Sequence, residues 1–349
     1  MNTPWGYPDF DAHEALHFVT DQASGLRAII AMHSTHLGPA AGGTRFWPYA
    51  DDADALTDAL RLSRGMSYKN AMAGLPLGGG KAVILAHADR AKSPELLAAF
   101  GRAIDRLGGN YVTAEDVGMS VADMIAIRKQ TEFVAGLPAE GGEVGGDPGP
   151  HTSLGVFLGI KAAVKRALGK DSLAGLHLAL QGAGSVAGGV ARLAAAEGAK
   201  LSIADVDRDR VQRLSAETGA AIVSPDDVLA LEADVLSPCA LGAILTEQSI
   251  AELNAPIVAG GANNQLATRE DGQRLAARGI LYAPDYVMNA GGIINVSTEY
   301  LDDGDASLVS RRIEAIPGRL EAIWAESAAT GRDPAAVADA MAQTLIGRG

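Results

Sequence analysis

Cysteine is nearly absent from this 349-residue chain, where Cys239 stands alone. One thiol excludes an internal disulfide and favours a reducing compartment, so the cytoplasm is the expected location. Positive charge is also short: 29 Lys and Arg face 42 Asp and Glu, for a formal net charge of −13. That deficit argues against nucleic acid as a partner, because nonspecific binding needs clustered cations to neutralise phosphate. No apolar run approaches the roughly 18 residues of a membrane helix, so no membrane partner is expected. Residues 1–12 carry Pro4, Pro8, Asp9 and Asp11, unlike a secretory signal with its basic start and apolar middle. His33, His36 and His151 have no ligand spacing, and no metal site is expected.

What the chain has in quantity is glycine, 42 residues against 5 % aromatics. The glycines form separate clusters, among them Gly42-Gly43, Gly78-Gly79-Gly80, Gly182/Gly184/Gly188 and Gly260-Gly261. Such clusters at element ends suggest places where backbone approaches a ligand closely. Hydrophobic periodicity predicts a strand at 26–32, a loop at 33–47, a helix over 54–64, a strand at 81–86, a helix over 94–107 and a strand at 110–114. Residues 141–150, with five glycines and two prolines, have the composition of a linker or hinge. Beyond them strands alternate with helices: strands at 176–181, 200–205, 221–223, 234–236 and 256–259, helices at 185–197, 208–218, 226–231 and 247–253. That rhythm predicts a doubly wound parallel sheet. Helices follow from 307, with a break at Pro317.

Gly182-Ala183-Gly184-Ser185-Val186-Ala187 matches the G-x-G-x-x-G/A fingerprint between a predicted strand and a predicted helix, and Asp205 ends the next strand. Gly182 makes the tight turn, Gly184 admits a pyrophosphate, and Ala187 permits close helix–strand packing. The helix N-terminus would supply N–H groups to the phosphates. Asp205 would accept hydrogen bonds from a ribose and repel a 2′-phosphate, which favours NAD over NADP. A tight turn without a ligand is the weaker reading.

Lys69 in SYKN and Lys81 in LGGGKAV draw attention in the first half. GGGK is not a phosphate loop, since Leu75 stands where glycine is required and Ala82 where a hydroxyl is. Lys81 opens an apolar strand, where burial and a second cation would lower its pKa and suit it to act as a base. A surface lysine after a turn competes with this reading on equal terms. Asp116, after the strand in TAEDVG, is equally a helix cap or a functional acid. Asn263, at the end of PIVAGGANN, lies where doubly wound sheets place ligands, and a turn is the alternative. Cys239 reads as a small residue near the cofactor rather than a nucleophile.

The blocks GPAAGGTRFWPY, RGMSYKNAMAGLPLGGGKAVI, TAEDVGMSVADM, LSPCALG, AGGANNQL and APDYVMNAGGIINV resemble, in order and nearly end to end, the Glu/Leu/Phe/Val dehydrogenase family. They are most similar to its leucine, phenylalanine and valine branch. The resemblance implies an α/β chain of two domains with an active-site cleft between them. Residues 1–136 would form the substrate-binding and catalytic domain and the oligomer interface, with 325–349 packing back on it. Residues 137–324 would form a Rossmann NAD-binding domain. It implies that Lys69 holds the substrate carboxylate beside Gly42 and Gly43, that Lys81 is the catalytic lysine and Asp116 its acid/base partner. Asn263 would lie between substrate and nicotinamide. Thr152, Gly182, Gly184, Ser185, Val186, Asp205, Cys239 and Ala240 would line the NAD site.

The implied reaction is oxidative deamination of an L-amino acid to a 2-oxo acid and ammonia by a homo-oligomer. Glutamate enzymes of the family carry Lys at the place of Ala41 and Ser at that of Val296, so an apolar substrate is expected. Ala114, Ile293 and Val296 would line its pocket, and alanine at 114 leans toward leucine, valine or isoleucine. The alternatives are a phenylalanine- or tryptophan-preferring dehydrogenase of the same family, or a Rossmann oxidoreductase acting on something other than an amino acid.

Overall fold

The computed structural model describes residues 3–86, 92–137, 147–301 and 305–349. Two compact units emerge: Met1–Gly146 with Val296–Ala306 and Ala342–Gly349, and Asp147–Asn295 with Ser307–Met341.

The first unit is built on a mixed sheet of β1 (Ala15–Asp21), β2 (Leu26–Ser34), β3 (Ala40–Trp47), β4 (Gly78–Leu85) and β5 (Tyr111–Glu115), in the order β1-β2-β4-β3-β5. β2 runs antiparallel to β1 and β4, while β3 lies parallel to both β4 and β5. Helices α1 (Asp52–Met72), α2 (Pro94–Asp105) and α3 (Val121–Arg128) start on side-chain caps from Asp51, Ser93 and Ser120, each satisfying a backbone N–H that the first turn leaves open. Successive strand residues face opposite sides of a sheet, and the cores divide accordingly. Ile30, Ala82 and Ile84 pack with Phe100, Ile104 and Ile127 of α2 and α3, whereas Ile29, Ala31 and Val83 pack with Leu56 and Leu60 of α1.

Two expectations need correction here. Residues 40–47 are not loop but strand β3, hidden by Pro39 and the Gly42-Gly43 pair. Nor do these glycines stand at element ends. A Cβ on Gly42 would come within 1.8 Å of the Gly80 carbonyl oxygen, and one on Gly43 within 2.9 Å of the Asp116 Cβ. Neighbouring protein atoms therefore already exclude side chains there.

The second unit is the doubly wound sheet. After α4 (Gly149–Leu168) come β6 (His177–Gln181), α5 (Ser185–Ala196), β7 (Lys200–Ala204), α6 (Arg208–Thr218), β8 (Ala221–Ile222), β9 (Val235–Pro238), α7 (Glu247–Glu252), β10 (Ile257–Val258), α8 (Glu270–Ala277) and β11 (Leu281–Tyr282). All pairings are parallel in the order β11-β10-β9-β6-β7-β8, so the winding reverses between β6 and β9. Ligands bind such sheets at that reversal, beyond the carboxyl ends of the strands. Helices α9 (Asp285–Met288), α10 (Gly291–Tyr300), α11 (Ala306–Glu314), α12 (Ile316–Thr330) and α13 (Pro334–Leu345) complete the chain. Pro317 falls in the first turn of α12, where its missing N–H leaves no bond unmade; the expected break is there. The helix expected at 226–231 is only a three-residue turn, Val228–Ala230, too short to offset the cost of nucleating an α-helix. Of the linker expected at 141–150, residues 141–146 lie outside the described residues, while Gly149 and Pro150 form the first turn of α4 rather than linker, proline being tolerated at a helix start. No helix among the described residues is long and apolar enough to cross a membrane, and no group of three or more His, Cys, Asp or Glu is placed to hold a metal.

A buried cluster ties the C-terminal residues into the first unit. Arg348 donates to His33 Nε2 at 2.7 Å, and His33 Nδ1 lies 2.8 Å from Ser67 Oγ. Asp11 Oδ2 lies 3.3 Å from the same Nε2 and favours the imidazolium, but burial and the guanidinium, which can only donate, outweigh it and hold His33 neutral. Burial, Arg348 and His13 depress its pKa to about 3. The unfolded chain takes up this proton near 6.5, so the stability from neutral His33 is complete above pH 6.5. It is lost as pH falls from there toward 3, by at most about 1.4 kcal/mol per pH unit. Thermal melts should show the midpoint falling across this window, and His33→Asn should flatten that slope. An equal slope in the variant would discard the assignment.

Candidate active site

Lys81 is the fourth residue of β4, and only 5 % of it is exposed. Its Nζ donates to Asp116 Oδ2 at 2.6 Å. Asp116 follows β5, and β3 lies between the two strands, so the pair spans β3, where a Cβ on Gly43 would crowd the Asp116 side chain. Burial lowers the Lys81 pKa; Asp116 opposes that shift without cancelling it, and Arg45 adds to it. Burial alone would raise the Asp116 carboxyl, but Lys81 and Arg45 outweigh it and hold the group below its usual range. A lysine inclined to lose its proton thus sits against a carboxylate that stays ionised. This is the electrostatic arrangement of a general base with a proton-relay partner.

Lys69 projects from α1 two residues after Ser67 and one before Asn70. A Cβ on Gly79 would lie 2.0 Å from the Ser67 nitrogen, and Asn70 donates to the Gly78 carbonyl at 2.6 Å. The helix is therefore pinned on both sides of Lys69 to the strand that carries Lys81. Gly42 offers a carbonyl already bonded by the Tyr111 hydroxyl at 2.7 Å. Ala114 pairs with Gly43 across β3 and β5, and Ala41 is buried on β3. Val296, half-buried, lies next to Gly136, whose N–H donates to Glu299 at 2.7 Å. Gly136 follows the segment bridging Val134 to Thr113. Lys69, Lys81, Asp116, Ala41, Gly42, Gly43, Ala114 and Val296 all belong to the first unit.

The remaining residues belong to the second unit, where Gly182, Asp205, Cys239, Ala240 and Asn263 follow the carboxyl ends of strands and Thr152 and Ile293 stand on α4 and α10. Gly182 has a φ of +110°, open only to glycine at low cost, and its Cα faces Ala240 and Cys239. Gly184 begins α5 without a side-chain cap, and a Cβ there would meet nothing within 4 Å. Uncapped N–H groups beside open space suit an anion. Ser185 and Thr152 lie against Gly149 and Gly292, and Val186 against Gly261, whose N–H contacts Cys239 Sγ at 3.4 Å. Burial raises the Cys239 thiol, which disfavours a nucleophilic thiolate. Asp205 has a role that the sequence does not announce: its Oδ2 accepts from the Ala183 N–H at 2.7 Å and so braces the glycine turn. Asn263 Oδ1 accepts from Asn289 at 2.8 Å. Asn289 was not foreseen, and its own buried Oδ1 lacks a partner among the described residues. Ile293 is half-buried on α10, three residues before Val296.

Arg45, Asp58 and Tyr49 also escaped the sequence reading. Arg45 Nε donates to Asp116 at 3.1 Å and its Nη1 to Asp58 at 2.8 Å, and the Tyr49 hydroxyl donates to Asp58 at 2.6 Å. Only the TRF step inside GGTRFWPY hinted at them.

Residues 13–133 match the model of the Glu/Leu/Phe/Val dehydrogenase dimerisation domain, and 201–343 that of Glutamate/Leucine/Phenylalanine/Valine dehydrogenase. The chain is 47 % identical over 337 residues to leucine dehydrogenase of Bacillus subtilis (strain 168), covering 96 % of this chain and 92 % of that one. The chain belongs to the Glu/Leu/Phe/Val dehydrogenase family. It is an amino-acid dehydrogenase. Valine dehydrogenase of Streptomyces albus is 44 % identical to this dehydrogenase over 340 residues, covering 97 % and 93 % of the two chains. Among solved structures, L-tryptophan dehydrogenase from Nostoc punctiforme superposes with a TM-score of 0.85 at 41 % identity, covering 96 % of each chain.

Proposed function

We propose that the protein oxidatively deaminates an apolar L-amino acid with NAD, giving the 2-oxo acid and ammonia, and runs reversibly. The observation that carries this reading is the buried Lys81–Asp116 pair at 2.6 Å in a chain with a dinucleotide-type turn. The first unit would supply the substrate machinery and the second the NAD site, where Gly182, Gly184, Ser185, Val186, Thr152, Cys239 and Ala240 would hold the dinucleotide. NAD held there would supply the hydride acceptor for the substrate Cα. NAD rather than NADP is favoured by the Asp205 carboxylate, and the nearby Arg210 is already paired with Asp207 at 3.0 Å.

In this mechanism Lys69 binds the substrate carboxylate beside Gly42 and Gly43, and Asp116 and Asn263 receive the neutral amine. Loss of hydride leaves an iminium on the substrate. Neutral Lys81 then takes a proton from water as that water attacks the iminium carbon. Asp116 moves protons as the carbinolamine collapses, and the Lys81 ammonium stabilises charge developing on its oxygen. Ala41, Ala114, Ile293 and Val296 would receive an apolar side chain. Leucine, valine or isoleucine is the first choice, and the likeness to a tryptophan dehydrogenase supports an aromatic substrate as the second. A homo-oligomer is supported by the dimerisation-domain match, and a cytoplasmic site by the single cysteine.

The test is NAD reduction with Leu, Val, Ile, Phe, Trp and Glu at alkaline pH. Turnover of at least one apolar amino acid, with stoichiometric ammonia, is expected. Cofactor binding without oxidation of any apolar amino acid among them would overturn the reading and direct the search to another amino acid.

A further inference from the structure

Lys81 Nζ and Arg45 Nε both donate to the same oxygen, Oδ2 of Asp116, at 2.6 and 3.1 Å. The two donors differ in one respect. The lysine must be neutral for part of a proton-transfer cycle, whereas a guanidinium does not deprotonate in proteins. A buried carboxylate whose only cation were Lys81 would lose its counter-charge each time that lysine gave up its proton, and would tend to follow by protonating itself. Arg45 removes this coupling. Its other arm is fixed by Asp58 of α1 at 2.8 Å, and Asp58 is in turn held by the Tyr49 hydroxyl at 2.6 Å. Arg45 is about three-quarters buried, as are Asp116 and Asp58, so solvent screens these interactions only partly. The register explains the placement: Arg45 pairs with Val83, two residues beyond Lys81, and Thr44 pairs with Glu115, next to Asp116.

We propose that Arg45, anchored by Asp58 and Tyr49, is a positioning residue that holds Asp116 in place, and returns it to the ionised form between proton transfers, whether or not Lys81 carries its proton. This deepens the proposed deamination and rests on it. The titratable groups around the pair are Arg45 and Tyr49 on β3 and its exit, Asp58 on α1 and Tyr111 on β5. Removing the Arg45 charge takes a repelling cation from beside Lys81, so the lysine should hold its proton more tightly. Removing the Asp58 charge should do the opposite.

The experiment is the pH profile of kcat/KM for amino-acid oxidation by the full chain and three variants, with NAD affinity measured in parallel. Arg45→Gln should lower kcat by roughly ten- to a hundredfold and move the rising limb to higher pH by about one unit, with NAD affinity unchanged. Arg45→Lys should restore the position of the limb but not all of kcat, because the charge returns without the two-armed fork. Asp58→Asn, a second charge-removing variant that leaves Arg45 itself in place, should move the limb toward lower pH. A limb that stays put in both charge-removing variants, or moves the same way in both, overturns the proposal. A wild-type enzyme inactive on every amino acid would instead overturn the deamination reading itself.

Discussion

Lys81→Ala is expected to reduce turnover at least about a thousandfold while leaving NAD affinity within a factor of two or three. The size follows from losing two functions at once. A positioned general base contributes about 10²- to 10⁴-fold, and a preorganised cation facing a developing oxyanion contributes further. The selectivity follows from location, since the dinucleotide-type turn is built entirely from residues of the second unit. Lys81→Met serves as a companion that keeps most of the buried stem and so limits the cavity. Steady-state kinetics with the best amino acid, alongside equilibrium NAD titration, measures both quantities. Activity of either variant within tenfold of wild type would dispose of Lys81 as the base.

The second large effect concerns substrate choice. Glutamate should be turned over with a kcat/KM at least about a thousandfold below that of the preferred apolar amino acid. Ala41 is buried on β3 and Val296 is half-buried beside Gly136, and neither offers a charge or a hydrogen bond to a side-chain carboxylate. Desolvating that carboxylate without a partner costs several kcal/mol, and each 1.4 kcal/mol is about tenfold. Discrimination between leucine and phenylalanine rests on far less, because the methyl of Ala114 is worth only about 1–3 kcal/mol. Competition assays with Leu, Phe and Glu give all three ratios. Glutamate oxidised as well as leucine would contradict the assignment of Ala41 and Val296.

The parts of this molecule that could be read in advance are those whose causes are local. Helix α6 runs over the residues expected because Asp207 caps its start and Gly219 its end, both adjacent in sequence. The glycine turn after β6 and the break at Pro317 are local in the same sense. Strand β3 was lost because its glycines answer to Gly80 and Asp116, dozens of residues away. β1 was missed outright; it is a half-exposed edge strand whose pairing with β2 gives it its form. The same reasoning separates the site residues. Lys81 and Asp116 carry motif-level signals, whereas Arg45 acquires its meaning only when folding brings it to a carboxylate 71 positions on. Asp205 was visible as an acid at a strand end, but its grip on the Ala183 N–H was not.

The account turns on the charge of one amine, which 15N NMR of lysine-labelled protein reports directly. The Lys81 Nζ resonance, assigned by its disappearance in Lys81→Met, should titrate below the ordinary lysine value of 10.5, with a midpoint that matches the rising limb of kcat/KM. A Lys81 that stays an ammonium up to pH 10.5 or beyond while the enzyme is fully active would contradict it.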